Sequence, residues 1–249
     1  MNLPLPSGLS ARLGREDELT SRSLLFDKGM CREEKHFLKD FVQIFARAGY
    51  RDAYDAFMKR RRVSLCGASV LRLKASQRLV VGLGLPHPTE TGLLLDRLNG
   101  VPYIPGSSVK GLLRAAAKLT AEGSIPNDAR EYWNRESIGR VFGQQNQAGA
   151  VIFFDAYPTT WPELELDIMT PHYGKYYMEG AVPADWYNPT PVQFLTVKAG
   201  TAFRFWFRNI VKYKGSTEDA KQVKDLLPIA LDWLGIGAKK SAGYGTFER

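Results

Sequence analysis

Two hydrophobic periods follow one another near the C-terminus, and they constrain the fold more than any other feature. From residue 203 to 208, phenylalanine occupies every second position, and arginine or tryptophan fills the positions between. This two-residue period is typical of a strand with one aromatic face and one basic-aromatic face. Glu218 and Asp219 then open a stretch in which apolar residues recur at helical spacing from 223 to 234. This part of the chain therefore predicts a strand followed by an amphipathic helix.

The rest of the chain mixes the same two periods. Helices are predicted at 31–47, from 52 into the basic run 59–62, and at 131–141; strands are predicted at 71–75 and 151–154, and a strand, turn and helix at 101–119. The basic run suits a solvated helix end, and it also suits contact with phosphate. Residues 167–191 are rich in tyrosine and proline and lack a period, which predicts a long loop or hairpin projecting from the core. The order of elements favours an α+β fold with helices on one side of a sheet.

Basic residues outnumber acidic ones. Thirty-four Lys and Arg oppose 26 Asp and Glu, which gives a formal net charge of +8. This excess favours polyanionic partners such as nucleic acid, although a merely soluble basic surface explains it as well. The two cysteines are far apart, so neither a disulfide framework nor a zinc site is indicated, and a reducing cytoplasm is expected. No apolar run is long enough to cross a bilayer, so no membrane partner is expected.

The C-terminal stretch L-G-I-G-A-K-K-S-A-G-Y-G-T-F, residues 234–247, carries four glycines and two lysines directly after the predicted helix. Glycines let backbone amides approach a ligand, and the ammonium groups of Lys239 and Lys240 neutralise phosphates. The spacing matches neither a Walker loop nor a dinucleotide fingerprint. A helix end with a hairpin turn accounts for only two of the glycines. The stretch therefore predicts a site for a sugar-phosphate chain.

A second candidate site lies where the helix within 101–119 begins. Ser107 or Ser108 is predicted to cap this helix, whose free amides form a natural anion site. Lys110 and Arg114 fall one turn apart on the same side. An ordinary capped helix with two solvated cations is the alternative.

The three histidines show no metal-binding spacing, and no nucleophile motif is present, so no catalytic residue, metal or cofactor is assigned. His172 stands among Tyr173, Lys175, Tyr176 and Tyr177, which suit acid–base chemistry on RNA. The same side chains also suit stacking on bases or packing in a core, and these uses are favoured.

Three stretches taken together resemble the RAMP superfamily of CRISPR systems. They are G-V-P-Y-I-P-G-S-S-V-K-G-L-L-R from residue 100, F-G-Q-Q-N-Q-A-G-A-V-I-F-F-D-A-Y-P from residue 142, and G-I-G-A-K-K-S-A-G-Y-G-T-F from residue 235. Within that superfamily, G-L-G-L-P-H-P-T-E-T-G from residue 82 and T-P-H-Y-G-K-Y-Y from residue 170 are similar to stretches of the sixth-subunit family of the Cmr complex, the type III-B effector.

The resemblance implies a ferredoxin-like, RRM-related fold in a single domain, 1–249. Residues 1–62 would form an arm and inserted helices, and 63–249 the core, with an insertion around 157–195. It also implies a non-catalytic subunit that holds the 3′ part of a guide CRISPR RNA paired with target RNA, beside other Cmr-complex RAMP subunits and small helical subunits. A metal-independent endoribonuclease that processes CRISPR RNA, with His172 as base, is the alternative.

Carried over onto this sequence, the resemblance implies a set of RNA-binding residues drawn from the start of the helix, the tyrosine-rich stretch and the glycine-rich tail. They are Ser107, Ser108, Lys110, Arg114, His172, Tyr173, Tyr176, Tyr177, Gly237, Lys239, Lys240, Gly243 and Tyr244.

Overall fold

The computed structural model describes residues 21–28, 36–170, 191–210 and 216–248. Its helices are α1 Arg22–Lys28, α2 Phe37–Ala46, α3 Arg51–Ser64, α4 Gly106–Ala121, α5 Arg135–Phe142 and α6 Ser216–Trp233, with 3₁₀ turns at Ala48–Tyr50 and Lys240–Ala242. Its strands are β1 Ser69–Ala75, β2 Val151–Phe153, β3 Tyr157–Pro158, β4 Leu164–Met169, β5 Val192–Val197, β6 Ala202–Asn209 and β7 Phe247–Glu248.

The main sheet is antiparallel, with the order β2-β6-β1-β7, and β3 pairs with the far part of β6. The β1–β6 register runs from Ser69 opposite Phe207 to Lys74 opposite Ala202. Side chains alternate across a strand, so the three phenylalanines of β6 all point to one face, where they are fully buried. The predicted strand at 203–208 and the α+β class are confirmed.

Helices α4 and α6 pack together on that phenylalanine face. Helix α6 buries an apolar stripe formed by Val223, Leu226, Leu227, Ala230 and Leu231. Burying a side chain of leucine size contributes about 2 kcal/mol. This layer therefore supplies much of the free energy that holds the sheet.

Helix α3 covers part of the opposite face, around Trp206, so the prediction of helices on one side only is wrong. Trp206 lies on the basic-aromatic face of β6, yet it is buried in a second cluster with Tyr54 of α3 and Tyr157. The guanidinium of Arg61 stacks on both rings, 4.6 Å from the centroid of Tyr157 and 5.1 Å from that of Trp206, and donates to the carbonyl of Asp155 at 2.8 Å. Arg61 therefore packs within the protein and is not one of the solvated cations that the basic run predicted.

The helix predicted over 31–47 is confirmed from Phe37 onward, while residues 29–35 lie outside the described part of the chain. Helix α2 buries Phe37, Leu38, Phe41 and Phe45. Phe41 lies 5.1 Å, centroid to centroid, from Phe26 of α1, so the two N-terminal helices share one aromatic contact surface.

Two element boundaries differ from the sequence prediction. Residues 101–104 form isolated bridges instead of a strand, because Pro102 and Pro105 have no backbone N–H to donate to a ladder. The helix predicted from 131 starts only at Arg135, where the Asn134 side chain accepts from the amides of Glu136 and Ser137. A capping box of this kind fixes the first residue of a helix.

Strands β4 and β5 form a separate two-stranded antiparallel sheet, with Leu164 opposite Val197 and Met169 opposite Val192. The aperiodic stretch predicted at 167–191 therefore begins inside a strand. Residues 171–190 lie outside the described residues, so the projecting loop stays a prediction.

Candidate nucleic-acid interface

The glycine-rich tail folds back along the strand-like segment that follows β1. The amide of Ala238 donates to the Val80 carbonyl, and that of Gly245 to the Arg78 carbonyl, each at 2.8 Å. Ile236 donates in turn to Gly245 at 2.8 Å. The tail is therefore a closed, hydrogen-bonded loop.

Backbone packing, not ligand contact, requires glycine at two positions of the tail. Gly237 and Gly245 have positive φ angles of 93° and 75°. A Cβ atom at either position would collide with a backbone carbonyl, that of Val80 for Gly237 and that of Ile236 for Gly245. Gly235 and Gly243 also have positive φ angles, 61° and 88°. The fold of the tail itself therefore accounts for all four glycines, and the interpretation that it has more than its own folding needs is wrong.

One side of the tail faces the β4–β5 hairpin. The Tyr244 hydroxyl donates to the Asp167 carboxylate, which also forms an ion pair with Arg78 at 2.7 Å between Nη1 and Oδ2. The Lys239 ammonium lies 5.2 Å from the ring centroid of Phe194. Two predicted RNA-binding side chains, Lys239 and Tyr244, are thus engaged in contacts within the protein.

The charge of Asp167 is stabilised by these partners. Partial burial acts to raise the pKa of Asp167, but the hydrogen bonds from Tyr244 and the Ile168 amide, with the nearby charges of Arg78 and Lys239, outweigh it and lower the pKa. The carboxylate is therefore ionised at neutral pH and neutralises part of the positive charge on this side of the tail.

The other side of the tail borders a groove of about 640 Å³ that runs between the tail and α4. Ser108 and Gly111 of α4 line one wall, and Gly237 and Lys240 line the other. The residues described along this groove include no carboxylate, and Lys240 is their one charged side chain. Glycine walls and a cation without an acid suit the close approach of a phosphate backbone.

The start of α4 differs from its prediction. Pro105 occupies the N-cap position, and neither Ser107 nor Ser108 caps the helix with its side chain. The Gly106 amide donates to the Asp155 carboxylate at 2.8 Å, and the Ser108 amide bonds to the Pro105 carbonyl at 2.9 Å. The predicted row of free amides is therefore incomplete, because a carboxylate already occupies the positive end of the helix. A phosphate bound here depends on nearby side chains.

Those side chains are available. Ser107 and Arg114 are exposed, and Lys110 is half-buried one turn before Arg114. No carboxylate in the described ranges lies within ion-pair distance of Lys110, Arg114 or Lys240. The structure thus places Ser108, Gly237 and Lys240 on one groove. Ser107, Lys110 and Arg114 lie on the same helix but do not line the groove.

The remaining predicted residues are distributed differently. Gly243 ends the 3₁₀ turn of the tail with open space around it. His172, Tyr173, Tyr176 and Tyr177 lie outside the described residues.

His87, in the stretch that resembles the sixth-subunit family, has a structural place. Its ring stacks on Phe26 at 4.0 Å between centroids, and its two nitrogens lie 2.7 Å from the Thr89 hydroxyl and 2.9 Å from the Phe26 carbonyl. Burial lowers the pKa of His87, so the ring is neutral at pH 7. It ties α1 to the loop that borders the groove.

Within the described ranges, no group of His, Cys, Asp and Glu side chains is arranged to hold a metal ion. None of the helices described there is long and apolar enough to span a membrane.

Residues 72–248 match the family model of the RAMP superfamily. The chain belongs to this superfamily. The RAMP match covers α4, the groove and the tail, and it leaves α1 to α3 outside. The sequence resemblance is thereby confirmed.

Two curated RAMP proteins are similar to this chain. The CRISPR system Cmr subunit Cmr6 of Pyrococcus furiosus is 34% identical over 229 residues, an alignment that covers 70% of this chain and 66% of the relative. The Cmr6 subunit of Saccharolobus solfataricus is 34% identical over 163 residues, covering 64% of this chain and 49% of the relative. The chain thus spans about two thirds of the first relative and about half of the second.

Among solved structures, a chain in the cryo-EM structure of the type III-B Cmr-beta complex bound to cognate target RNA is similar, with 27% identity and a TM-score of 0.60. The match covers 85% of this chain and 70% of that chain.

Proposed function

We propose that this chain is a non-catalytic, RNA-binding subunit of a type III-B CRISPR effector complex. It holds the 3′ part of a guide CRISPR RNA paired with target RNA, and it contacts other RAMP and small helical subunits of the complex. The similarity to Cmr6 and to a chain of a target-RNA-bound Cmr complex supports this assignment.

The core of the domain is ferredoxin-like in this proposal. If helix α5, strand β3 and the β4–β5 hairpin are treated as additions, the order of elements is β1-α4-β2-β6-α6-β7. That is the β-α-β-β-α-β order of the ferredoxin-like motif. The sheet order β2-β6-β1-β7, with every neighbouring pair antiparallel, supports it.

The observation that carries the RNA-binding proposal is the groove without carboxylates between α4 and the tail. RNA brings one negative charge per nucleotide, and most contacts that position a nucleic acid go to its phosphates and sugars. Lys240 on the groove wall, with Lys110 and Arg114 elsewhere on the surface of α4, neutralises phosphates without reading bases. A guide-carrying subunit needs such sequence-independent binding, because guides differ in sequence.

The test is RNA binding by a variant with Lys110→Gln, Arg114→Gln and Lys240→Gln. If each side chain contacts one phosphate, the slope of log K against log salt for single-stranded RNA becomes shallower by about 2, and affinity at 0.1 M salt falls roughly 100-fold. Fluorescence anisotropy across a salt series measures both quantities.

The matched control is Arg97→Gln, Arg135→Gln and Lys221→Gln, three exposed cations that change the net charge equally. We expect this variant to keep most of the slope. Equal losses of slope and affinity in the two variants would show that only the net charge matters, and would contradict the proposal.

The endoribonuclease alternative has a separate test. RNA cleavage by the purified chain in EDTA, abolished by His172→Ala, would contradict the non-catalytic assignment. We expect no cleavage by the unaltered chain, because a subunit that holds a guide RNA must leave it intact.

A further inference from the structure

We propose that Arg62, Arg72 and Arg204 form a second phosphate-binding surface, on the face of the sheet opposite α4 and α6. We call these three residues the arginine cluster. Its ligand is an RNA backbone segment other than the one in the groove, so the inference rests on the proposed function for the class of its ligand. The superfamily motifs in the sequence do not include these residues.

The sheet register places two of the arginines side by side. Arg72 of β1 and Arg204 of β6 are direct cross-strand partners. Their neighbours Leu73 and Phe205 point into the core, so both arginines point the other way, away from α4 and α6. Lys74, two residues beyond Arg72, is exposed on the same face.

A packed aromatic support lies beneath the cluster. The Arg204 guanidinium lies 5.9 Å from the centroid of Trp206, a buried ring on which Arg61 also stacks. Arg61 is held by this contact and by its bond to the Asp155 carbonyl, whereas the next residue on α3, Arg62, is exposed. The helix thus uses one arginine for packing and leaves the next one free.

The three charges repel one another. Partial burial lowers the pKa of Arg204, and the charges of Arg62 and Arg72 lower it further, which places all three within electrostatic reach. No carboxylate among the described residues forms an ion pair with any of them. Like charges directly opposite each other destabilise a sheet pair. The Trp206 ring offsets this repulsion only in part, and only for Arg204. A local rule broken without full compensation inside the protein is typical of a functional site.

Phosphate supplies the missing compensation. A guanidinium presents paired N–H donors that fit the oxygens of a phosphate, and it remains charged at any physiological pH. The groove and the arginine cluster lie on opposite sides of the sheet, so one short segment cannot occupy both. The chain therefore has a place for a second backbone segment, either of the same RNA further along or of the paired strand.

The variant that tests the cluster is Arg62→Gln with Arg72→Gln. Both residues are exposed, and Arg204 is retained because it packs on Trp206. Binding of a mixed-sequence single-stranded RNA is measured over a salt series, together with the melting temperature. We expect the log–log slope to become shallower by about 1.4. The melting temperature should stay level or rise, because repulsion is removed.

Arg97→Gln with Arg135→Gln is the control of equal charge change, and it should keep both the slope and the affinity. An unchanged slope in the cluster variant, with the loss confined to the groove variant, would overturn this inference and leave the proposed function standing. A shallower slope in the cluster variant alone, with the groove variant unchanged, would support the arginine cluster and contradict the groove as an RNA-binding site. Absence of salt-sensitive binding by the unaltered chain would contradict both.

An acidic peptide segment is the competing occupant, and polyglutamate is its probe. We expect RNA to displace polyglutamate from the chain. Polyglutamate binding that depends on Arg62 and Arg72, with RNA binding that does not, would assign the surface to a protein partner and overturn the inference.

Discussion

The junction of α5 with α6 and the groove beside α4 both present basic side chains, but they use them in opposite ways. At the junction, the Asp219 side chain is fully buried, Arg140 contacts it at 2.9 Å, and the Tyr132 hydroxyl donates to it. In the groove, Lys240 meets no carboxylate. The first arrangement fixes two helices together, and the second leaves a charge for a ligand.

The contrast shows that net charge alone does not locate a binding surface. The hydrogen bond to Asp219 raises the pKa of Arg140, because the contact favours its charged form. Such a cation contributes to the overall charge of +8 but is not available to RNA. The cations that matter for binding are those whose counter-charges are absent.

The largest expected effect is the loss of stability when the α5–α6 junction is disrupted. Asp219→Ala leaves Arg140 and Tyr132 without their shared acceptor, and the loss of these hydrogen bonds costs about 2 kcal/mol. Urea denaturation should show this loss, whereas the RNA affinity of the folded variant should equal that of the unaltered chain. If the variant kept its stability but lost RNA binding, the junction would have a binding role, which would contradict this account.

A smaller effect concerns Asp167, which lies between these extremes because it is only partly buried and binds the tail to the hairpin. Asp167→Asn weakens the contacts with Arg78 and Tyr244, and we expect a loss of about 1 kcal/mol at pH 7. Asp225→Asn, an exposed carboxylate on α6, is the control and should change little.

The pH dependence sharpens the same comparison. The folded pKa of Asp167 is below its ordinary value of 3.8, so its stabilisation is present above pH 3.8 and is lost as pH falls through the folded pKa. In acid denaturation, Asp167→Asn should therefore lose less stability below pH 3.8 than the unaltered chain. Parallel acid profiles would show that the carboxylate makes no net contribution.

The smallest effect concerns His87, a titratable group used for packing rather than for binding. Its folded pKa is below 6.5, so the neutral ring stabilises the fold above pH 6.5, and that contribution is lost as pH falls below it. We expect the unaltered chain to lose more of its free energy of unfolding than His87→Asn between pH 7 and 5. A rise in stability of the unaltered chain over this range would contradict the structural role.

Regular periods and short motifs made much of the fold predictable. The alternation at 203–208 predicted β6, and the apolar stripe of α6 predicted its buried face. The second layer was not predictable in this way, because Trp206 on the basic-aromatic face gave no sign that α3 would cover it.

The candidate site was predictable in part. Lys110, Arg114 and Lys240 follow from helix starts and glycine spacing, but two contacts depend on residues distant in sequence. Asp155 occupies the start of α4 from 49 residues away, and Asp167 binds Tyr244 across 77 residues. No local pattern records such pairs. The arginine cluster did leave a signal, since both predicted strands carry basic residues at alternate positions, but only the register brings them together.

The most direct test of the central claim is RNA–protein cross-linking in the complex purified from its host, followed by identification of the cross-linked peptides. We expect cross-links at residues 107–114 and 237–240, on the two walls of the groove, and none at the α5–α6 junction. RNA recovered with the complex but cross-linked to neither wall would contradict the assignment of the groove as the guide-binding surface.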